Sequence, residues 1–320
     1  MPHRPKWFTD GQVIMSNAPT CGINKDGAEL YQVDQATGDR LALLDDRLET
    51  DVDAILAGTV GTGTSFTVKA SDVSTSRIAT PTFFDLSTVE NLRSFTNSKL
   101  PGYSLKTVGE LELAGDLQRF PGHGSPSADR RVGDVPYIKV SDLRAGGVNI
   151  NPTNMIPLPL AEEYWGEAGS GLMPYDLISP ARTSKNIGDF CVLMPGQERI
   201  VLTKEVFIFR AATPLLVDQF YLLWALTLEP VRAQWRRLVL MQTNREDVGD
   251  RVVELLIPVP PSVDVGREVS EAFRTYFTSI VKAREGLSQK LKIAALPHRF
   301  TLSDLGSREQ DDYGDDEEPA

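Results

Sequence analysis

The chain has 320 residues, which exceeds the size of a usual single domain and predicts more than one compact unit. Its composition is that of an ordinary globular protein, with 41% hydrophobic and 24% charged residues, and no apolar run approaches the roughly 18 residues that a membrane span needs. With three histidines, two distant cysteines and no C-x-x-C pair, it offers little for a zinc site, a disulfide framework or histidine-based catalysis.

The N-terminus has two early basic residues but no apolar segment after them, so we expect no secretory signal and a cytoplasmic location. Most of the net charge of −11 lies at the other end, because the seven carboxylates from Glu309 onward leave only −4 for the rest of the chain. Such a block predicts a solvated tail, and the alternatives are an autoinhibitory nucleic-acid mimic or a docking tail. Gly115 to Val252 has fifteen Lys and Arg against sixteen Asp and Glu, which neither requires nor excludes DNA binding.

In the first hundred residues, short apolar runs such as ELYQVD and SFTVKA predict strands and turns rather than long helices. The exception is DDRLETDVDAILAG, where Leu48, Val52, Ile55 and Leu56 share one helical face and Gly58 follows as a stop. The run GTVGTGTS lacks the lysine of a phosphate-binding loop and predicts a turn. The run GHGS lacks the G-x-S-x-G spacing of a serine hydrolase and predicts a mobile loop.

The middle of the chain, from Leu111 to Phe209, is mostly strand in pattern, as in VPYIKVSDL, DLISPA, DFCVLMPG and RIVLTKEVFIFR. The next stretch, VDQFYLLWALTLEPVRAQWRRLVL, predicts two helices separated at Pro230, a residue that suits the first turn of the second helix. After it, VELLIPVPP predicts a buried strand that is ended by prolines.

Past those prolines, residues 265–296 predict one amphipathic helix of about 45 Å at ~1.5 Å per residue. Its apolar seam is close to a heptad repeat, which is typical of a helix that pairs with another long helix of this chain, a second copy or a partner. Packing along its own body is the alternative. The candidate pairing residues are Phe273, Tyr276, Ile280, Leu287 and Leu291.

Cationic and hydroxyl side chains crowd the loops around one predicted strand, and no convincing catalytic cluster accompanies them. Such side chains on loops of a rigid sheet are what phosphate positioning and base-edge contacts need, so they favour an extended polyanion over a small ligand. The candidate contacts are Arg119, Arg130, Arg131, Lys139, Ser141, Arg144, Arg182, Lys185 and Arg245.

Six segments and the long helix follow one another over about residues 105–296, and their order resembles a target recognition domain of type I restriction-modification specificity subunits. The segments are LKTVGELELAG, VPYIKVSDLRAGGVNI, GLMPYDLISPARTSKNIGDFCVL, IVLTKEVFIFRAA, VDQFYLLWALTLEPVRAQW and TNREDVGDRVVELLIPVPP. The resemblance implies a domain that binds DNA and recognises half of a bipartite site. The long helix would act as a spacer and as the element that joins a dimer. A full specificity subunit has two such domains and two helices, whereas this chain has one of each. Either two copies pair, or one copy reads a single asymmetric element.

A second likeness lies in CGINKDGAELYQVDQATGDRLALLDDRLETDVDAI, which is similar to the segment after the catalytic domain of N6-adenine DNA methyltransferases. The catalytic motifs themselves are missing. This likeness implies that residues 1–104 form the docking region for a separate methyltransferase subunit.

We therefore expect an α+β fold in four parts: a small N-terminal α/β docking region (1–104), a mixed twisted-sheet target recognition domain (105–262), a coiled-coil-like spacer helix (263–297) and a disordered acidic tail (298–320). The expected function is a non-catalytic specificity subunit of a restriction-modification or related phage-defence complex. It would bind double-stranded DNA, need no cofactor and direct an N6-adenine methyltransferase that uses S-adenosylmethionine. A restriction or translocase subunit is a further candidate partner. The alternatives are a defence nuclease or hydrolase with an unrecognised active site, and a structural adaptor that binds protein rather than DNA.

Overall fold

The computed structural model describes residues 11–24, 26–61, 63–144, 146–151, 153–166, 169–182, 184, 186–212, 218–240 and 247–293. The predicted acidic tail lies outside these residues. The chain divides into two compact units after Ser87, whereas the sequence-based boundary follows residue 104. The α+β class with a long C-terminal helix is confirmed. No helix within the described ranges is both long and apolar enough to cross a bilayer.

The described residues of the first unit form two small antiparallel sheets and three helices. One sheet pairs β1 (Gln12–Ser16) with β4 (Ser65–Lys69), and the other pairs β2 (Tyr31–Val33) with β3 (Arg40–Leu44). The helices are α1 (Leu48–Leu56), α2 (Ala70–Ser76) and α3 (Pro81–Phe84).

Helix α1 forms as predicted but buries its polar side. Asp51 is 1% exposed and accepts hydrogen bonds from Ser16 Oγ at 2.5 Å and from the backbone N and Oγ1 of Thr64 at 3.0 and 2.6 Å. Burial raises the pKa of Asp51, but hydrogen bonds from Ser16, Thr64 and Ser65 together lower it further, so the pKa lies below its usual value. The leucine-bearing face is consequently turned to solvent.

The prediction of strands and turns in the first hundred residues missed several helices. Besides α2 and α3, the 13-residue helix α4 (Ser87–Lys99) begins the second unit and buries Val89, Leu92 and Thr96. Its sequence, STVENLRSFTNSK, is rich in Ser, Thr and Asn, which compete with the helix through local hydrogen bonds. Burial of one face, which composition does not reveal, therefore decides this helix.

The second unit is built on a four-stranded antiparallel sheet in the order β12-β11-β14-β6. Its strands are β6 (Leu117–Pro121), β11 (Leu177–Pro180), β12 (Cys191–Val192) and β14 (Val206–Ala211). A mixed sheet has the order β10-β7-β13, with β7 antiparallel to β10 and parallel to β13. These strands are β7 (Val135–Ile138), β10 (Met155–Ile156) and β13 (Val201–Leu202).

Two antiparallel strand pairs complete the second unit. One joins β5 (Ser104–Thr107) to β15 (Leu256–Val259), and the other is the hairpin of β8 (Leu143–Arg144) and β9 (Gly147–Val148). The strands predicted in the middle of the chain and in VELLIPVPP are thus confirmed.

Helices cover the four-stranded sheet and form the largest core with it. Pro230 lies in the first turn of α8, as predicted, and the core holds Phe209, Tyr221, Trp235 and Phe277. The helices of this unit after α4 are α5 (Val108–Ala114), α6 (Leu158–Trp165), α7 (Gln219–Thr227), α8 (Glu229–Ala233), α9 (Trp235–Leu238) and α10 (Val263–Ile293).

Helix α10 packs along its own unit over its first half. Phe273 and Ile280 lie against the core, so these two candidate pairing residues are engaged within the chain itself. Tyr276 and Leu287 are exposed, by 59% and 37%, and Leu291 is half-buried. Pairing with another helix stays a prediction, and Tyr276, Leu287 and Leu291 are the candidates that the core does not occupy.

A buried ion pair ties β14 to the segment before β11. Arg210 donates from Nε to Asp176 Oδ1 at 2.8 Å and from Nη2 to Oδ2 at 2.6 Å. Nη2 also donates to the carbonyl of Gly171 at 2.9 Å, and the Asp176 side chain is fully buried. Both carboxylate oxygens are thus occupied by one guanidinium.

Candidate nucleic-acid interface

A groove of about 740 Å³ opens in the second unit beside β7. Its walls come from the stretch after β6, the end of β7 and the turn that follows it, the loop between β11 and β12, and the turn between β13 and β14. The lining residues are Ser125, Arg131, Tyr137, Lys139, Val140, Ser141, Leu143, Arg144, Ser184, Asn186, Asp189, Thr203 and Glu205.

The segment VPYIKVSDLRAGGVNI forms one wall because its apolar residues point inward. After the buried strand β7, a 3-10 turn (Val140–Asp142) is closed by the carboxylate of Asp142, which accepts a hydrogen bond from the backbone N of Lys139 at 2.9 Å. Leu143 and Val148 then pack into a second core cluster, while Arg144 points out. The described residues of this segment therefore place Lys139 and Arg144 at the groove.

Cys191 supports the β8–β9 hairpin through a hydrogen bond. Its Sγ donates to the carbonyl of Arg144 at 2.7 Å, and burial raises the thiol pKa to about 12, so the group stays protonated as a donor. Cys191 is buried, whereas the other cysteine, Cys21, is exposed.

Three of the predicted cations meet at the groove without a salt bridge to any described carboxylate: Arg131, Lys139 and Arg144. Arg131 donates from Nε and Nη2 to the carbonyl of Pro126 at 3.2 and 2.9 Å and lies 5.1 Å from the ring centroid of Tyr137. Arg144 donates to the carbonyls of Ser141 and Leu143. Their charges remain available to an anion.

Two carboxylates also line the groove, but cations from outside its lining pair with them. Asp189 forms a salt bridge with Arg232, and Glu205 lies 2.5 Å from Nη1 of Arg182. With both acids neutralised, the three unpaired cations give the groove a positive charge. Hydroxyl donors lie beside them, among them Ser125 Oγ and Thr203 Oγ1, which are 3.0 Å apart. Cations with hydroxyls are the groups that hold phosphate oxygens.

Three of the other predicted contacts, Arg119, Arg130 and Arg182, do not line the groove. Arg119 is paired with Glu112 at 2.7 Å and Asp250 at 3.6 Å, and Arg130 lies 3.9 Å from Glu163. Arg182 does not line the groove, but it forms a salt bridge with Glu205, which does, and its Nε lies 3.2 Å from Asp247. Lys185 and Arg245 fall outside the described residues. Four of the nine candidates, Arg131, Lys139, Ser141 and Arg144, therefore share one surface.

Several groove residues escaped the sequence analysis. Ser125, Asn186 and Thr203 come from segments that are far apart in the chain, and none belongs to a cationic cluster. Their only local signal is polarity next to a predicted strand or turn, and this signal is too common to single them out.

Hydrogen bonds of His123 and Gly124 attach the GHGS segment to neighbouring strands and loops. His123 Nδ1 accepts from the backbone N of Leu202 at 2.9 Å, and Nε2 lies 2.8 Å from the carbonyl of Ser170, to which it donates as a neutral ring. The backbone N of Gly124 donates to Leu202 O at 3.1 Å. Desolvation lowers the pKa of His123, although the Ser170 carbonyl acts in the opposite direction.

We expect His123 to make the protein less stable as the pH falls below 6.5. The unfolded chain takes up a proton near 6.5, the ordinary pKa of histidine, whereas the folded ring, with its lowered pKa, resists protonation. Urea denaturation of the wild type from pH 7.5 to 5.5 should give a falling free energy of unfolding, with a shallower fall in His123→Gln. Parallel profiles for the two proteins would contradict this role.

Within the described ranges, no group of three or more His, Cys, Asp or Glu is arranged to hold a metal ion.

No model of a known protein family and no curated protein sequence matches the chain. Similar solved structures include the HsdS subunit from Thermoanaerobacter tengcongensis (14% identity, 85% of this chain and 62% of that chain, TM-score 0.38). Another is the type I restriction-modification S subunit from M. genitalium (11% identity, 74% of this chain and 62% of that chain, TM-score 0.37). The type IIG restriction endonuclease BpuSI is also similar (9% identity, 73% of this chain and 34% of that chain, TM-score 0.40). The chain thus covers less than two thirds of each of these structures. They are distant likenesses in chain architecture.

Proposed function

We propose that the chain binds double-stranded DNA through the groove beside β7 and acts as a non-catalytic sequence-specificity subunit of a DNA modification or restriction complex. The observation that supports this is the convergence of Arg131, Lys139 and Arg144, none of them paired with a described carboxylate, beside hydroxyl groups that line the same groove. The ordered series of segments over residues 105–296 supports the same role by resemblance.

The groups of the groove suit the two tasks of such a subunit. Lys139 and Arg144 would contact phosphates, which supply affinity that falls with salt but carry no sequence information. Hydroxyl and amide side chains such as Ser141 and Asn186, which also line the groove, can donate to and accept from base edges. Because buried strands and a closed turn fix the wall, such contacts would be made without reordering it.

The chemistry would belong to a partner. We propose that the first unit docks an N6-adenine DNA methyltransferase, which binds S-adenosylmethionine and acts on an adenine flipped out of the duplex. The likeness of residues 21–55 to a methyltransferase segment supports this assignment. A restriction or translocase subunit would join the same complex, and this chain would need no cofactor of its own.

Selection from a random duplex library tests the proposal. The full chain should enrich a recurrent sequence at about 0.15 M salt, where counterion release still permits specific binding. Lys139→Ala with Arg144→Ala should enrich little or nothing, whereas the matched control Arg93→Ala with Lys99→Ala, two exposed cations on α4, should enrich the same sequence. A wild-type pool that stays as random as its input would refute the specificity role.

A further inference from the structure

The first unit displays an apolar stripe on α1 that its own fold cannot bury. Leu48, Val52 and Leu56 recur at four-residue steps and are 38%, 43% and 80% exposed. The buried side of the helix carries Asp51 and Ala54 instead. Helices of globular proteins normally turn the apolar stripe inward, so α1 is inverted.

This inversion is fixed by hydrogen bonds. The carboxylate of Asp51 satisfies Ser16 Oγ and two donors of Thr64. Rotation of α1 to bury its leucines would leave those donors without their acceptor, and losing a buried hydrogen bond is costly. The exposed stripe is therefore a stable feature of the unit.

The hairpin that leads into α1 is similarly uncovered. All five residues of β3 are exposed, including Leu41, Leu43 and Leu44. Within the described part of the chain, β2 and β3 pair only with each other. A two-stranded ribbon alone is marginally stable in water, so a partner that covers it would add stability. Exposed apolar patches of this kind mark protein interfaces.

The acidic residues near these leucines indicate which kind of partner fits the surface. Residues 21–56 contain nine Asp and Glu against three Lys and Arg, and of the nine only Asp51 is buried. Such a surface repels DNA and anionic lipid, and a second copy would bring a like charge. A protein surface that is apolar and bordered by Lys and Arg complements it.

We propose that the α1–β3 surface, defined by Leu41, Leu43, Leu48, Val52 and Leu56 with Glu49 and Asp53, docks an apolar, basic-rimmed surface of another protein. This inference rests on the proposed function in one respect, since that protein would be the subunit that the chain directs to DNA.

The test uses the full chain in its native cells, with the photo-crosslinking residue p-benzoylphenylalanine at position 56 or, as a control, at position 113. Leu113 is also exposed at the end of a helix, by 91%, but belongs to the second unit. Position 56 should give one dominant protein adduct whose crosslinked peptide is apolar and flanked by Lys or Arg. Position 113 should not give that adduct. No adduct at position 56, an adduct between two copies, or one with nucleic acid or an acidic peptide would overturn the inference.

Point variants provide a second readout. In an affinity pull-down without the crosslinking residue, Leu56→Ser and Asp53→Lys should each reduce recovery of the partner identified by crosslinking by roughly tenfold, as expected for an apolar anchor or a complementary charge at an interface. Leu113→Ser should leave recovery unchanged, and equal recovery from all three variants would count against the surface. DNA affinity, measured separately, distinguishes failure of the docking surface from failure of the proposed function. Intact DNA binding without an adduct rejects the docking surface alone. An adduct without DNA binding rejects the proposed function alone.

Discussion

Replacing Arg210 by alanine should lower the free energy of unfolding by about 3 kcal/mol, the usual cost of removing one partner from a buried ion pair. The Asp176 side chain is fully buried and receives two hydrogen bonds from the guanidinium. Without Arg210, the only donor that the described residues still offer the carboxylate is the backbone N of Met173, at 2.8 Å. Chemical denaturation measures the loss.

Two further variants separate the buried charge from simple loss of packing. Arg210→Ala combined with Asp176→Asn should be more stable than Arg210→Ala alone, because no unpaired charge is left inside. Arg47→Ala removes an exposed pair with Asp45 and should cost less than about 1 kcal/mol. If Arg210→Ala lowers the free energy of unfolding no more than Arg47→Ala does, the Arg210–Asp176 pair does not stabilise the fold.

Reversing two groove charges, with Lys139→Glu and Arg144→Glu together, should weaken DNA binding at least about 100-fold, because each change replaces attraction to phosphate by repulsion. Neither side chain forms a salt bridge to a described carboxylate, and Arg144 is exposed, so the fold should survive. Fluorescence anisotropy with a duplex that contains the selected sequence measures the affinity, and thermal melting checks the fold.

The matched control is Arg93→Glu with Lys99→Glu, which changes the net charge equally on the exposed side of α4. It should weaken binding far less, since long-range repulsion between exposed charges is screened within about 10 Å at 0.1 M salt. Equal losses in the two double variants would mean that net charge, rather than the groove, governs binding.

Local sequence patterns predicted the strands of the second unit well. VPYIKVSDL, DLISPA and RIVLTKEVFIFR each contain a strand where expected, because buried strands of a packed sheet are apolar and bounded by turn residues. The face of α1 was not predictable in this way. Its periodicity identified the helix, but the hydrogen bonds to Asp51 that turn the leucines outward join residues as distant as Ser16.

The candidate site was predictable only where the cations are close in sequence. Arg131, Lys139 and Arg144 lie within one segment, and the fold gathers them with Ser141. Arg119 and Arg182 looked equivalent in sequence, yet Glu112 and Glu205 pair with them in the fold. Sequence alone does not show such pairing, because it depends on which helices, strands and turns become neighbours in the fold.

The most direct measurement is the salt dependence of duplex binding by the full chain, with wild type and Lys139→Ala/Arg144→Ala titrated in parallel by fluorescence anisotropy. If both side chains contact phosphates, the slope of log K against log salt should be shallower in the variant by about 1.8, or roughly 0.9 per lost contact. Equal slopes, or a wild type whose binding does not depend on salt, would contradict DNA binding through this groove.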